Sequence, residues 1–138
     1  MMLAAMLNTV DSMSDMAARG TSLDSVLIVE DEGLLSMTMD DLVREHGATR
    51  VEVRRNVESA MEAARTGAYD CAVLDVTLNG NPTYAVADLL AARHIPFFFW
   101  TGLTVSDIEE RHRSRPMLPK PHTDEQFRAA LARALGQD

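Results

Sequence analysis

Apolar and polar positions alternate in blocks along this chain, and the blocks change period. Val26–Val29 is a short continuous apolar run, as expected of a strand covered on both faces. Residues 33–46 then place Leu34, Leu35, Met39, Leu42 and Val43 near helical spacing, and Gly47 supplies a stop. Val51–Val53 predicts a second strand. Asn56 predicts a helix cap, followed by Val57, Ala60, Met61 and Ala64 on an inner face and Gly67 at the end. Cys71–Leu74 predicts a third buried strand, and a polar loop follows Asp75. Tyr84–Arg93 predicts a helix and "IPFFFW" a fourth strand. Thr104 and Asp107 predict a capping box opening a short polar helix over 104–114, with only Val105 and Ile108 as apolar anchors. Met117–Leu118 predicts a fifth strand. Thr123 and Gln126 open a last helix carrying Phe127, Ala130, Leu131 and Leu135.

Five strand–helix units with apolar strands imply an α/β domain: a doubly wound parallel sheet with helices on both faces. The domain is expected over residues 23–138. Residues 1–22 differ in character, holding five of the nine methionines. Leu3, Met6, Leu7, Val10 and Met13 follow helical spacing there, so this extension reads as an extra amphipathic helix, a frayed tail or the product of an upstream start codon. It lacks a basic start and Asp11 interrupts its apolar run, which argues against a signal peptide.

Composition narrows the class. The 138 residues carry 21 acidic against 13 basic side chains, a formal charge of −8. That balance argues against direct nucleic-acid binding, which needs clustered Lys and Arg. No apolar run approaches the roughly 20 residues that cross a bilayer. Cys71 is the single cysteine, which excludes an internal disulfide and fits a reducing cytoplasm.

In doubly wound sheets the ligand site lies outside the carboxyl ends of the strands. Glu30 and Asp31 end the first strand, Asp75 the third and Thr101 the fourth, and Lys120 follows the fifth, so all five converge at one edge. Three carboxylates brought together repel one another unless a hard cation joins them through oxygen ligands, and Mg²⁺ suits such a site. Thr101 adds a hydroxyl and Lys120 an ammonium. The set is what phosphoryl transfer to an aspartate requires, where the work is positioning and charge neutralisation. The proline on each side of Lys120 restrains its backbone.

Four stretches, "VLIVEDE", "VLDVTLNG", "FFFWTG" and "MLPKP", resemble the signature blocks of bacterial response-regulator receiver domains, in order and on the corresponding strand ends. The resemblance spans about residues 24–136 and implies the flavodoxin-like strand order 2-1-3-4-5. By resemblance Asp75 is the phosphoacceptor, Asp31 a direct Mg²⁺ ligand and Glu30 an acidic partner acting mainly through water. The backbone carbonyl of Thr77 completes the protein's share of the metal, and Thr101 and Lys120 contact the phosphoryl oxygens. The resemblance further implies a cis Lys120–Pro121 bond. It also implies a cytoplasmic protein that is not an enzyme in the ordinary sense, phosphorylated by a histidine kinase or histidine phosphotransfer protein and passing the signal to a downstream protein.

The stretches from Asp75 to Thr101 and to Lys120 are shorter than in ordinary receivers. The loop after Asp75 is similar to that of the "FAT GUY" variants, named for Pro-Phe-x-Phe-Ala-Thr-Gly-Tyr. This chain keeps Pro96, Phe97, Phe99, Thr101 and Gly102 and departs at Trp100 and Leu103. Met117 stands where ordinary receivers carry an aromatic switch residue. Two other functions fit parts of the pattern. A haloacid-dehalogenase-type phosphatase also uses an aspartyl phosphate and Mg²⁺, but needs a second Asp where Thr77 stands. A receiver-like module could instead bind its partner without phosphorylation. The four histidines show no ligand spacing and are expected in solvent; Cys71 and Phe97–Trp100 are expected in the core, with Trp100 a candidate for partner contact.

Overall fold

The computed structural model describes residues 23–136; the expected extension over residues 1–22 lies outside them. Strand β1 (Ser25–Val29) is buried along its whole length and occupies the sheet interior. Helix α1 (Gly33–Glu45) follows, capped by the Glu32 carboxylate, which accepts from the Leu35 N–H at 3.1 Å. β2 (Arg50–Arg54) leads to α2 (Val57–Thr66), where the Asn56 side chain accepts from the Ser59 N–H as the cap. After β3 (Cys71–Leu74), two short strands, β4 (Thr77–Leu78) and β5 (Asn81–Pro82), pair antiparallel. Helix α3 (Tyr84–Ala92), β6 (Phe97–Thr101), β7 (Met117–Pro119) and α4 (Asp124–Ala134) complete the chain.

Five parallel strands form the main sheet in the order β2-β1-β3-β6-β7. Numbered among themselves they give the order 2-1-3-4-5, the flavodoxin-like arrangement. Because side chains alternate across a strand, each central strand feeds two cores. Leu27, Val29, Ala72, Leu74, Phe97 and Phe99 pack with α2 and α3 on one side. Val26, Ile28, Cys71, Val73, Phe98 and Trp100 pack with α1 and α4 on the other. Two cores sharing one sheet explain why the inner strands are apolar without a break.

Three expectations need correction. Residues 104–114 do not form a helix but two 3₁₀ turns, Val105–Asp107 and Glu110–His112. The Asp107 carboxylate does accept from the Thr104 N–H at 3.0 Å. A cap cannot sustain a helix without an apolar stripe, however, and Ile108 is buried while Val105 is half exposed. Second, the loop after Asp75 contains the β4–β5 hairpin, turned through Asn79 and Gly80, both at positive φ. Asn-Gly suits this because the turn joining twisted strands needs two left-handed residues. Third, His112 is buried rather than solvated. Of the apolar residues at helical spacing in α1, Met39 and Val43 are buried and Leu34 is exposed.

Candidate functional site

The carboxyl ends of the strands deliver the predicted residues to one edge. Glu30 follows β1 directly and is buried, 1% exposed. Its Oε2 accepts from the Glu32 N–H at 3.0 Å, and its Oε1 receives the Lys120 Nζ at 2.7 Å. The same ammonium donates to Asp75 Oδ2 at 3.2 Å. Lys120 thus bridges the ends of β1 and β3 from the turn beyond β7. Its N–H donates to the Thr101 carbonyl at 3.1 Å, and the Lys120–Pro121 bond is cis, as expected.

Burial raises the Glu30 pKa, with the Asp75 charge adding to the rise, against the lowering effect of the bonds from Lys120 and the Glu32 N–H. For Lys120, burial works downward, but the bond to Glu30 and the charge of Asp75 outweigh it and hold the ammonium above its ordinary value. Glu30 pays for a desolvated carboxylate only because a cation sits on it.

Asp31 stands beside Glu30, half exposed, and its Oδ2 accepts from the Asn79 N–H at 3.0 Å. One carboxylate oxygen from each of Glu30, Asp31 and Asp75 lies within 4.8 Å of the others. Three convergent hard oxygens fit a divalent cation such as Mg²⁺, which keeps several waters and needs few protein ligands. Thr77 starts the hairpin and is exposed; its N–H donates to Asp75 Oδ1 at 3.3 Å. Thr101 is buried at the end of β6, where its hydroxyl accepts from the Leu103 N–H at 3.0 Å.

Two contributors, Thr83 and Asn79, were not singled out in advance, and a third, Trp100, takes a place other than the expected partner contact. Thr83, fully buried, donates its hydroxyl to the Asp75 carbonyl at 2.6 Å and fixes the backbone of that residue. A threonine straight after the β5 proline was the only signal. Asn79 ties the hairpin to Asp31 through its backbone and to the Arg55 carbonyl through its side chain, at 3.2 Å. Trp100 is buried rather than available to a partner, and its ring centroid lies 4.7 Å from the Lys120 ammonium.

A parallel doubly wound sheet with a carboxylate cluster and a lysine at its carboxyl edge defines the class. No family model matches the chain, and no curated protein matches it. Solved structures do. SdrG from Sphingomonas melonis Fr1 is 41% identical, with a TM-score of 0.73, over 83% of this chain and 97% of that one. A BeF3-activated conformation of SdrG from Pseudomonas melonis Fr1 is 40% identical, with a TM-score of 0.70 over 83% and 98%. The PhyR response regulator REC domain of Erythrobacter litoralis is 27% identical, with a TM-score of 0.70 over 83% and 92%. The chain belongs to the response-regulator receiver domains.

Proposed function

We propose that this protein is a single-domain response regulator of the "FAT GUY" group that accepts a phosphoryl group on Asp75 from a histidine kinase or histidine phosphotransfer protein. The observation that carries the reading is the Lys120 ammonium held between Glu30 and Asp75, with Asp31 completing an acidic triad beside it. Mg²⁺, held by Asp31, Asp75, the Thr77 carbonyl and, through water, Glu30, would neutralise the phosphoryl oxygens. An Asp75 oxygen forms the new bond to phosphorus as the phosphorus–nitrogen bond of the donor phosphohistidine breaks. The imidazole leaves with the electron pair and takes up a proton. Lys120 and the Thr101 hydroxyl then donate to phosphoryl oxygens; the Thr101 hydroxyl accepts from the Leu103 N–H, which leaves its own proton for that bond.

The chain signals rather than turning over a substrate. Its partners are the phosphodonor and a downstream protein, not nucleic acid or membrane, and it works in the cytoplasm. No helix among the described residues is long and apolar enough to cross a bilayer. The test is intact-mass measurement after incubation with acetyl phosphate and Mg²⁺. The full chain should gain one phosphoryl group, and Asp75→Asn should gain none. Equal labelling of the two would overturn the assignment.

A further inference from the structure

Lys120 is the only lysine in the chain and Trp100 the only tryptophan, and the fold sets one over the other. Trp100 points to the α1/α4 side of β6 and packs in a core with Phe98, Leu118 and Phe127. It is 2% exposed. Its N–H has no hydrogen-bond partner among the described residues, so what the indole offers Lys120 is its ring face. The register of the last two strands makes the encounter. Trp100 lies opposite Leu118, and Lys120 stands two residues further along.

The two carboxylates that hold the lysine are also two of the three that fit a divalent cation. A cation there competes for those oxygens and repels the ammonium, which has little else to hold it, its side chain being 20% exposed. The indole face is an attraction that the metal cannot take over. Hard cations seek oxygen, whereas an ammonium is drawn to the negative face of an aromatic ring within about 6 Å of its centroid.

We propose that Trp100 is a positioning residue for Lys120: its indole face keeps the ammonium at the site once a divalent cation has taken the carboxylates. The consequence for phosphoryl transfer rests on the phosphoacceptor reading of Asp75; the positioning itself does not. Lys120 is then already in place for the incoming phosphoryl oxygens and need not be recruited by them.

The test replaces Trp100 in the full chain by mono-, di- and tetrafluorotryptophan, which drain the ring's negative face with little change of shape. With isotope-labelled lysine, Lys120 is the single spin system, and its ε-methylene protons should be shifted upfield by the ring. The expected result is that this shift persists at saturating Mg²⁺ and shrinks stepwise with fluorination. Phosphoryl uptake from acetyl phosphate should fall across the same series by about two- to thirtyfold, the range of a cation–π contact. Mg²⁺ affinity, read from the amides of residues 30–32, should stay unchanged. Trp100→Leu, which keeps apolar bulk without the quadrupole, should show the same loss. An ε-methylene shift that collapses to the free-lysine value on adding Mg²⁺, or an uptake rate flat across the series, overturns the proposal. If the chain takes up no phosphoryl group at all, it is the Asp75 assignment that fails, and the lysine shift still decides the role of Trp100.

Discussion

Helix α1 and residues 104–115 both begin where a strand delivers site residues to the sheet edge, one after β1 and the other after β6. They are held by different forces. α1 is thirteen residues of continuous backbone hydrogen bonding, capped by Glu32 and anchored by the buried Met39 and Val43. Residues 104–115 bury one aliphatic side chain, Ile108, and the His112 ring, and are tied to α3 by polar bonds. There the Tyr84 hydroxyl accepts from the Glu109 N–H at 3.2 Å. Asp88 accepts from Arg111 at 2.8 Å and pairs with His112 at 2.8 Å. The His112 ring stacks on Tyr84 and meets Phe99 edge-on, with centroids 5.7 and 5.8 Å apart. A helix docked by apolar area opens only with the domain, whereas a segment clasped by a few polar contacts can open by itself.

The contrast can be broken by substitution. Met39→Ala leaves a cavity under α1 and should lower global stability by about 2–5 kcal/mol, read by denaturant unfolding. Ile108→Ala removes similar bulk but should cost no more than about 2 kcal/mol globally, because the segment can detach on its own. Its mark should be faster amide exchange over 104–115, and a global loss equal to that of Met39→Ala would erase the distinction.

A phosphate mimic sharpens it. With beryllofluoride and Mg²⁺, Thr101 should turn toward the mimic, and exchange should change most over 101–115 while α1 and α2 stay nearly constant. Protection spread evenly over the domain, or persisting in Asp75→Asn, would argue against Thr101 as the link. The smallest effect is that of acid. The bond from Arg111, with a further contribution from His112, holds the Asp88 carboxyl below its ordinary value. A depressed carboxyl adds stability above its unfolded pKa and loses it as pH falls through the folded one. Residues 104–115 should therefore loosen in acid below the usual aspartate range. Because Asp88 is well exposed the effect should be slight; Asp88→Asn should reduce it, leaving the part due to Asp107, whose carboxyl the bonds from Thr104 also hold low.

Much of this was legible in the order of residues. The apolar runs at β1, β3 and β6 announced strands covered on both faces, and the caps at Asn56 and Thr123 fell where expected. The edge cluster followed from strand ends alone. What escaped lacks a period or depends on register. Two-residue strands such as β4 and β5 are too short to alternate. His112 reads as one more polar position in "EERHRS" until α3 supplies Asp88 and Tyr84 across 24 and more residues. Trp100 was recognisable as core, but its place beneath Lys120 required the pairing of β6 with β7.

Strand β6 sends consecutive residues to opposite sides: Phe97 and Phe99 to the α2/α3 core, Phe98 and Trp100 to the α1/α4 core. Thr101 continues that parity on the side of Phe99, where the ring of His112 abuts it. The two protein groups expected to grip one phosphoryl group therefore belong to different halves of the molecule, the hydroxyl to one and the indole-backed ammonium to the other. A phosphoryl group held by both would be gripped from the two sides of one sheet. The parity of a strand is fixed by its geometry, so no side-chain replacement along β6 can bring the hydroxyl and the indole to one side.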